Sequence, residues 1–369
     1  MSDSPRRNEM GHSETRPDFA ANLDILRASA VLLVLASHVL SMLNNRHDLR
    51  SWNDLFLSSG RLGVLLFFVH TSLVLNFSLA RLAAFSSGWK LCRTFLVRRI
   101  FRLYPLNILC VLLVVVFSIP GVPWGSTPIL PTWSTILSNI TLTSDFFDRP
   151  VVLSQMWTLP IEMQMYVAMP FIFMLLGSAR NTGIALGLWL IAVVVGWMQI
   201  PLARWLSVLD CGPCFLAGTV AYTLSGRYTQ KLASFLWIPF LVAMSCVFFS
   251  AQRVAPEGMG NAPLQWAVCL VVGLSIPAFH DSRIAAVNYL ANRIARYSYG
   301  IYLFHTIAIW FGCVVLSDQP ELVQWTVALV ALCILSMGSY HLLEKPAIDL
   351  GMRLTAAVPP NISPVHSSS

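Results

Sequence analysis

The sequence predicts an all-α, polytopic membrane bundle of about ten transmembrane helices with both termini in the cytoplasm. Three observations predict it. Of the 369 residues, 56% are hydrophobic and only 11% are charged, where a soluble domain carries about 25% charged residues. Apolar stretches recur along the whole chain at the length of about 20 residues that a helix needs to cross hydrocarbon. Threaded alternately through a bilayer, these stretches leave most of the lysines and arginines on one side, as orientation in a membrane requires.

Residues 1–19 are polar and contain no apolar segment of the kind a signal peptide needs, so they read as a cytoplasmic tail. Ten apolar stretches follow, near 24–44, 62–84, 98–118, 156–177, 182–199, 209–225, 233–250, 264–280, 296–316 and 323–343. The sixth and eighth are short. With the N-terminus inside, 18 of the 24 Lys and Arg residues fall on the cytoplasmic side and 6 outside (Arg46, Arg50, Arg61, Arg149, Arg204 and Arg253). This asymmetry fits an even number of spans and a multi-pass protein of the cell membrane. It also accounts for the basic excess over 17 acidic residues without invoking nucleic acid. The longest outside connection, 119–155, is rich in Pro, Ser and Thr and is a candidate lid. Residues 20–348 form the transmembrane domain, and 349–369 a short polar tail. No polar stretch is long enough to build a second core.

Ionisable side chains inside a bilayer are costly and mark candidate sites. In the first span, Asp24 and Arg27 are followed by His38. Eleven residues make about three turns, so Arg27 and His38 share a face about 16 Å apart along the axis. Alone, Arg27 reads equally well as an anchor at the interface and His38 as a packing residue. On one face they line one cavity, with the imidazole suited to general-base chemistry. At the start of the third span Arg98, Arg99 and Arg102 exceed what a membrane anchor needs. Arg98 and Arg102 fall on one face, and guanidinium forks suit the phosphates of a nucleotide-bearing donor, with lipid phosphate as the competing ligand. The fourth span opens with Trp157, and Glu162 and Tyr166 share a face there. They read either as a belt aromatic with a helix-start carboxylate or as groups that orient a histidine or a sugar. The ninth span carries Tyr299, Tyr302 and His305, and the second carries His70, so three histidines are expected at similar depth. Their spacing matches no metal motif. Cys211 and Cys214 have the spelling of a redox pair but lack its βαβ setting, and read as helix-start residues.

Taken together these residues resemble the acyltransferase-3 family of membrane proteins from about residue 20 to 348. The family's opening Asn-Leu-Asp-x-Leu-Arg, with a histidine eleven residues on, is matched by Asn22 to Arg27 and His38. Its Arg-Arg-x-x-Arg-x-x-Pro is matched by Arg98, Arg99, Arg102 and Pro105. Its Trp-Ser-Leu-x-x-Glu is matched by Trp157 to Glu162, with Thr158 in place of Ser. Its Ser-Tyr-x-x-Tyr-Leu-x-His is matched by Ser298, Tyr299, Tyr302 and His305, and a terminal Glu-Lys-Pro by Glu344, Lys345 and Pro346. The second span departs, because Phe67 and Phe68 are followed by His70, Thr71 and Ser72 where the family commonly has a Ser-Gly pair.

The resemblance implies transfer of an acyl group, often acetyl, from cytoplasmic acyl-CoA to a hydroxyl of a carbohydrate or glycolipid, with no bound cofactor or metal. On this reading the catalytic residues are His38, Arg27 and Glu162: His38 is the base or first takes the acyl group itself, Glu162 orients the acceptor or the base, and Arg27 holds the donor phosphates with the donor-binding Arg98, Arg99 and Arg102. Longer members carry a soluble esterase-like domain after the membrane part, for which this sequence is expected to have no room. A glycan transporter would use the same polar path, but the sequence lacks the internal repeat common in secondary transporters. A receptor or scaffold would tolerate neutral residues at these positions.

Overall fold

The computed structural model describes residues 19–47, 53–120, 131–199, 207–254 and 262–356. Each apolar stretch is a helix: α1 Ala20–His47, α2 Asn53–Ala83, α3 Gly88–Val116, α5 Thr158–Leu176, α6 Thr182–Gln199, α7 Ser207–Leu224, α8 Trp237–Val254, α9 Ala262–Ser275, α10 Ala285–Trp310 and α11 Glu321–Ser339. A short α4, Trp133–Ile140, and a terminal α12, Lys345–Leu354, complete the set. Among the described residues, eight helical segments are long and apolar enough to cross a membrane. The segments 182–198 and 262–278 are shorter. The short stretches are therefore the fifth and eighth, whereas the sixth, expected to be short, reaches full length as Ser207–Leu224. Helix is the answer throughout because a chain in hydrocarbon must satisfy every backbone donor and acceptor internally.

Helix α2 is the hub. It packs on α1, α7, α5, α9 and α3, and most of its apolar stretch is buried, whereas little of the peripheral segment containing α8 is. Small residues permit this closeness, as membrane helix packing demands. A Cβ at Gly218 of α7 would stand 2.2 Å from the carbonyl oxygen of Val69 on α2, and one at Gly63 of α2 would stand 2.6 Å from that of Ala30 on α1. Helix α10 closes against the other side of α1 and carries α11 behind it.

Polar residues pin the helix ends. Asp281, from the segment before α10, accepts from the backbone N–H groups of Ala21 and Asn22 at the start of α1, where an anion also meets the positive end of the helix dipole. The buried Asn22 amide returns the bond, donating to His280 O and accepting from Ser282 N–H. The Asn at the start of the first motif is thus a structural clamp.

The long connection between α3 and α5 folds back along α3. Asn107, about 14 Å from the end of α3 at Val116, donates to the carbonyls of Asn139 and Ile140, and the Tyr104 hydroxyl donates to Thr141 O. Asn139 in turn bonds Thr135 O, Pro150 O and Val152 N–H. These bonds satisfy irregular backbone that would otherwise be unpaired at depth. The connection was expected to form a lid. Its described part is a re-entrant element docked on α3, and its residues 121–130 lie outside the described residues.

Candidate active site

A row of cavities runs between α1, α2, α3, α5 and α10. The first, about 370 Å³, opens at the face where α1 begins. Asp24 and Arg27 of α1, His70 and Arg81 of α2, Arg102 of α3, Arg296 of α10 and Glu344 line it. Four arginines make it strongly basic. A second cavity, also about 370 Å³, lies toward the opposite ends of α1 and α2. It is lined by Ser37, His38, Ser41, Arg61, Ser154, Gln155, Trp157 and Tyr302. Between them lie two narrow spaces of about 50 and 20 Å³. Arg27, His70 and Arg102 line both the basic cavity and the first narrow space. Phe67, Glu162 and Tyr299 line both narrow spaces, and Val34, Val64 and Tyr302 lead on to the second cavity. The waist is closed by aromatic rings. Phe67 stacks on Tyr302 with centroids 6.3 Å apart and planes within 7°, and the Arg27 guanidinium covers Phe67 at 5.7 Å.

The geometry gives each sequence candidate a place. Arg27, fixed by an Nε–H bond of 2.6 Å to Ser298 Oγ, sits between basic cavity and waist. His38 reaches the second cavity, as the shared helical face requires. Its ring lies 4.8 Å from that of His305. The His305 Nδ1 stands 3.1 Å from Ile301 O; a carbonyl only accepts, so Nδ1 carries the proton, and in the neutral ring the lone pair is then on Nε2. That Nε2 is buried without a protein partner among the described residues.

His70 does not join this pair. Helix α2 runs antiparallel to α1, which places His70 about 26 Å from the start of α2, whereas His38 is about 14 Å from the neighbouring end of α1. The expected trio of histidines is therefore a pair, with His70 apart beside Arg27 and Arg102. Its Nδ1 is also buried and unpartnered among the described residues.

Glu162 and Tyr166 share a face and are joined by a hydrogen bond from the tyrosine hydroxyl. Glu162 faces the waist and not the second cavity, so it makes no contact through which to orient His38. Tyr299 donates to Leu103 O at 2.7 Å, and Tyr302 to Gln155 O at 2.5 Å, with Thr158 Oγ1 2.6 Å away. Asp24 accepts from Asn292 at 2.8 Å on the rim of the basic cavity.

The arginine cluster divides. Arg102 lines the basic cavity and the waist. Arg99 lines the waist, donating to Ser78 and lying over the rings of Phe95 and Tyr166. Arg98 donates to Thr355 Oγ1 at 2.8 Å, where α12 packs against α3, and lines none of these spaces. Four-residue spacing put Arg98 and Arg102 on one face, but α12 covers that face at the level of Arg98. Arg102→Ala should raise the KM for a nucleotide-bearing donor at least about tenfold, as loss of a charge-assisted phosphate contact does. Arg98→Ala should change it less than about threefold. Steady-state kinetics with varied donor checks both.

Sequence reasoning missed Gln155, whose amide bonds Leu303 O at 3.0 Å and Thr306 Oγ1 at 2.7 Å, and Ser298 as the partner of Arg27. It also left Glu344 without a role. That carboxylate is buried, lines the basic cavity and has one oxygen unpartnered among the described residues. A π-turn, Tyr340–Glu344, sits at this point, a feature that often marks functional sites. Cys211 and Cys214 are free, buried thiols inside α7. Among the described residues no group of three His, Cys, Asp or Glu side chains could hold a metal ion.

Comparison with known proteins places the chain. It is 26% identical to the peptidoglycan O-acetyltransferase OatA of Listeria monocytogenes, over 89% of this chain and 56% of that protein. It is 27% identical to YrhL of Bacillus subtilis, provisionally named a peptidoglycan O-acetyltransferase, over 93% of this chain and 57% of that protein. With Nodulation protein 10 of Rhizobium leguminosarum it shares 25% identity over 91% of this chain and 95% of that protein. The chain thus spans somewhat more than half the length of the first two. No solved structure matches it. The family model for the acyltransferase domain matches residues 20–341, nearly all of the helical bundle, and the chain belongs to the acyltransferase-3 family of multi-pass membrane proteins.

Proposed function

We propose that this protein is a membrane O-acyltransferase. It moves an acyl group, acetyl by likeness to its named relatives, from acyl-CoA to a hydroxyl of a carbohydrate or glycolipid. The observation that carries this reading is the pair of large cavities at opposite ends of one face of α1, the first basic and the second, among the described residues, neutral apart from Arg61 and holding His38. The basic end is the cytoplasmic one, by the distribution of Lys and Arg, and both termini lie there. Residues 20–348 are the catalytic unit and the tails are accessory. The membrane is the cell membrane.

In this reading Arg27, Arg102 and Arg296 hold the phosphates of the donor, and its thiol arm threads the waist toward His38. His38 takes the proton from the acceptor hydroxyl while His305 stands behind it with an open lone pair. The alkoxide oxygen attacks the thioester carbonyl, the C–O bond forms, the C–S bond breaks, and the departing thiolate takes up the proton. Glu162 and Tyr166 support the waist through Arg99. Trp157, Gln155 and Tyr302 wall the acceptor end.

Vesicles containing the purified protein, with acetyl-CoA sealed inside and oligosaccharides outside, should yield O-acetylated oligosaccharide by mass spectrometry. Product formed only when donor and acceptor share a compartment would overturn the opposed arrangement. Glycan export without any donor would favour a transporter.

A further inference from the structure

We propose that Arg61 makes this protein selective for an acceptor that carries a carboxylate, such as a uronic acid, next to the hydroxyl it acylates. The inference rests on the acyltransferase reading of the second cavity and goes on to its substrate class. Among the described residues Arg61 is the one charged residue on that cavity's wall; the other polar groups there, Ser37, His38, Ser41, Ser154 and Gln155, carry no negative charge. An anion entering this space meets a cation whose carboxylate partner, Asp210 at 3.5 Å, stands outside the described wall.

The guanidinium is held from three sides. Its Nε–H donates to Gln265 on α9 at 3.0 Å, an Nη2–H reaches Asp210 on α7 at a long 3.5 Å, and Trp157 lies under it at 5.1 Å. Among the described residues these are its protein partners, and they use two of five N–H donors. A membrane anchor needs no such bracing, and an anchor at this end of the helices would run against the positive-inside distribution. Bracing fixes the fork, and a fixed planar fork suits a planar carboxylate. Phosphate is the less fitting anion, because among the described residues the wall holds no second cation.

Calorimetry of the full chain in nanodiscs tests this with three matched oligosaccharides, one neutral, one bearing glucuronate and one bearing phosphate. The glucuronate form should bind about tenfold tighter than the neutral one, the size of one charge-assisted bidentate contact. Arg61→Gln should remove that advantage, and Arg61→Lys, which keeps charge without the fork, should keep only part of it. Equal binding of glucuronate and neutral forms, or preference for phosphate, would overturn the inference. Acyl transfer measured on the same oligosaccharides separates the two readings. Transfer without acid preference sinks the role of Arg61 alone. Acid-selective binding with no transfer to any sugar upholds the anion site and sinks the acyltransferase reading.

Discussion

Replacing His38 with alanine should lower acyl transfer by a factor of about 10² to 10⁴, the range that a positioned general base supplies, while the protein still inserts and keeps its thermal stability. The expectation rests on where the ring sits. His38 is half-buried on the wall of the second cavity, and His305 is fully buried 4.8 Å behind it. His305 is fixed by its bond to Ile301 O, so it can present a lone pair to the His38 ring but cannot reach the cavity itself. His38→Asn, which keeps polarity and much of the shape, should fall as far as His38→Ala. His305→Ala should lose less, because His38 keeps its access to the acceptor. The measurement is initial-rate acyl transfer by purified variants. Near-normal activity in His38→Ala would remove the base from the mechanism.

Arg27→Ala should reduce kcat/KM for the acyl donor by about a hundredfold or more, equivalent to about 3 kcal/mol of lost transition-state binding. Arg27 is shared by the basic cavity and the waist, donates to Ser298 and covers Phe67. With His70 and Arg102 it joins the basic cavity to the passage toward His38. Lysine should not substitute, because it offers neither an Nε–H to Ser298 nor a flat cation for the Phe67 face. The effect should appear when donor is varied, with acceptor KM little changed. A shift confined to the acceptor would place the donor elsewhere.

The membrane bundle was legible in the sequence because spanning helices are specified by length and hydropathy alone, and all ten stretches became helices. What escaped depends on partners distant in sequence. The re-entrant α4 is held by Asn107, a residue that reads only as a polar position in α3. The face shared by Arg27 and His38 was legible from the 3.6-residue repeat, as was that of Glu162 and Tyr166. Depth across different helices was not. His70 and His38 looked alike along their own spans, but antiparallel packing of α1 and α2 separates them. Arg98 and Arg102 share a face, yet α12 covers it at one level only. Gln155, Ser298 and Glu344 entered the site through bonds or cavity walls made with other helices, which no local pattern encodes.

The stacked rings of Phe67 and Tyr302 have an electrical consequence. Two hydrated cavities facing each other across a thin septum would concentrate the transmembrane potential on that septum, where each unit charge carried across costs or releases about 2.3 kcal/mol per 100 mV. Spaces of about 50 and 20 Å³ hold at most a few waters, so the passage at the septum is narrow. In the proposed transfer a neutral acyl group would do no work against that field, whereas the donor's phosphates would. In the proposed reaction only the donor's neutral acyl arm would part the aromatic pair, so transfer would be insensitive to membrane voltage.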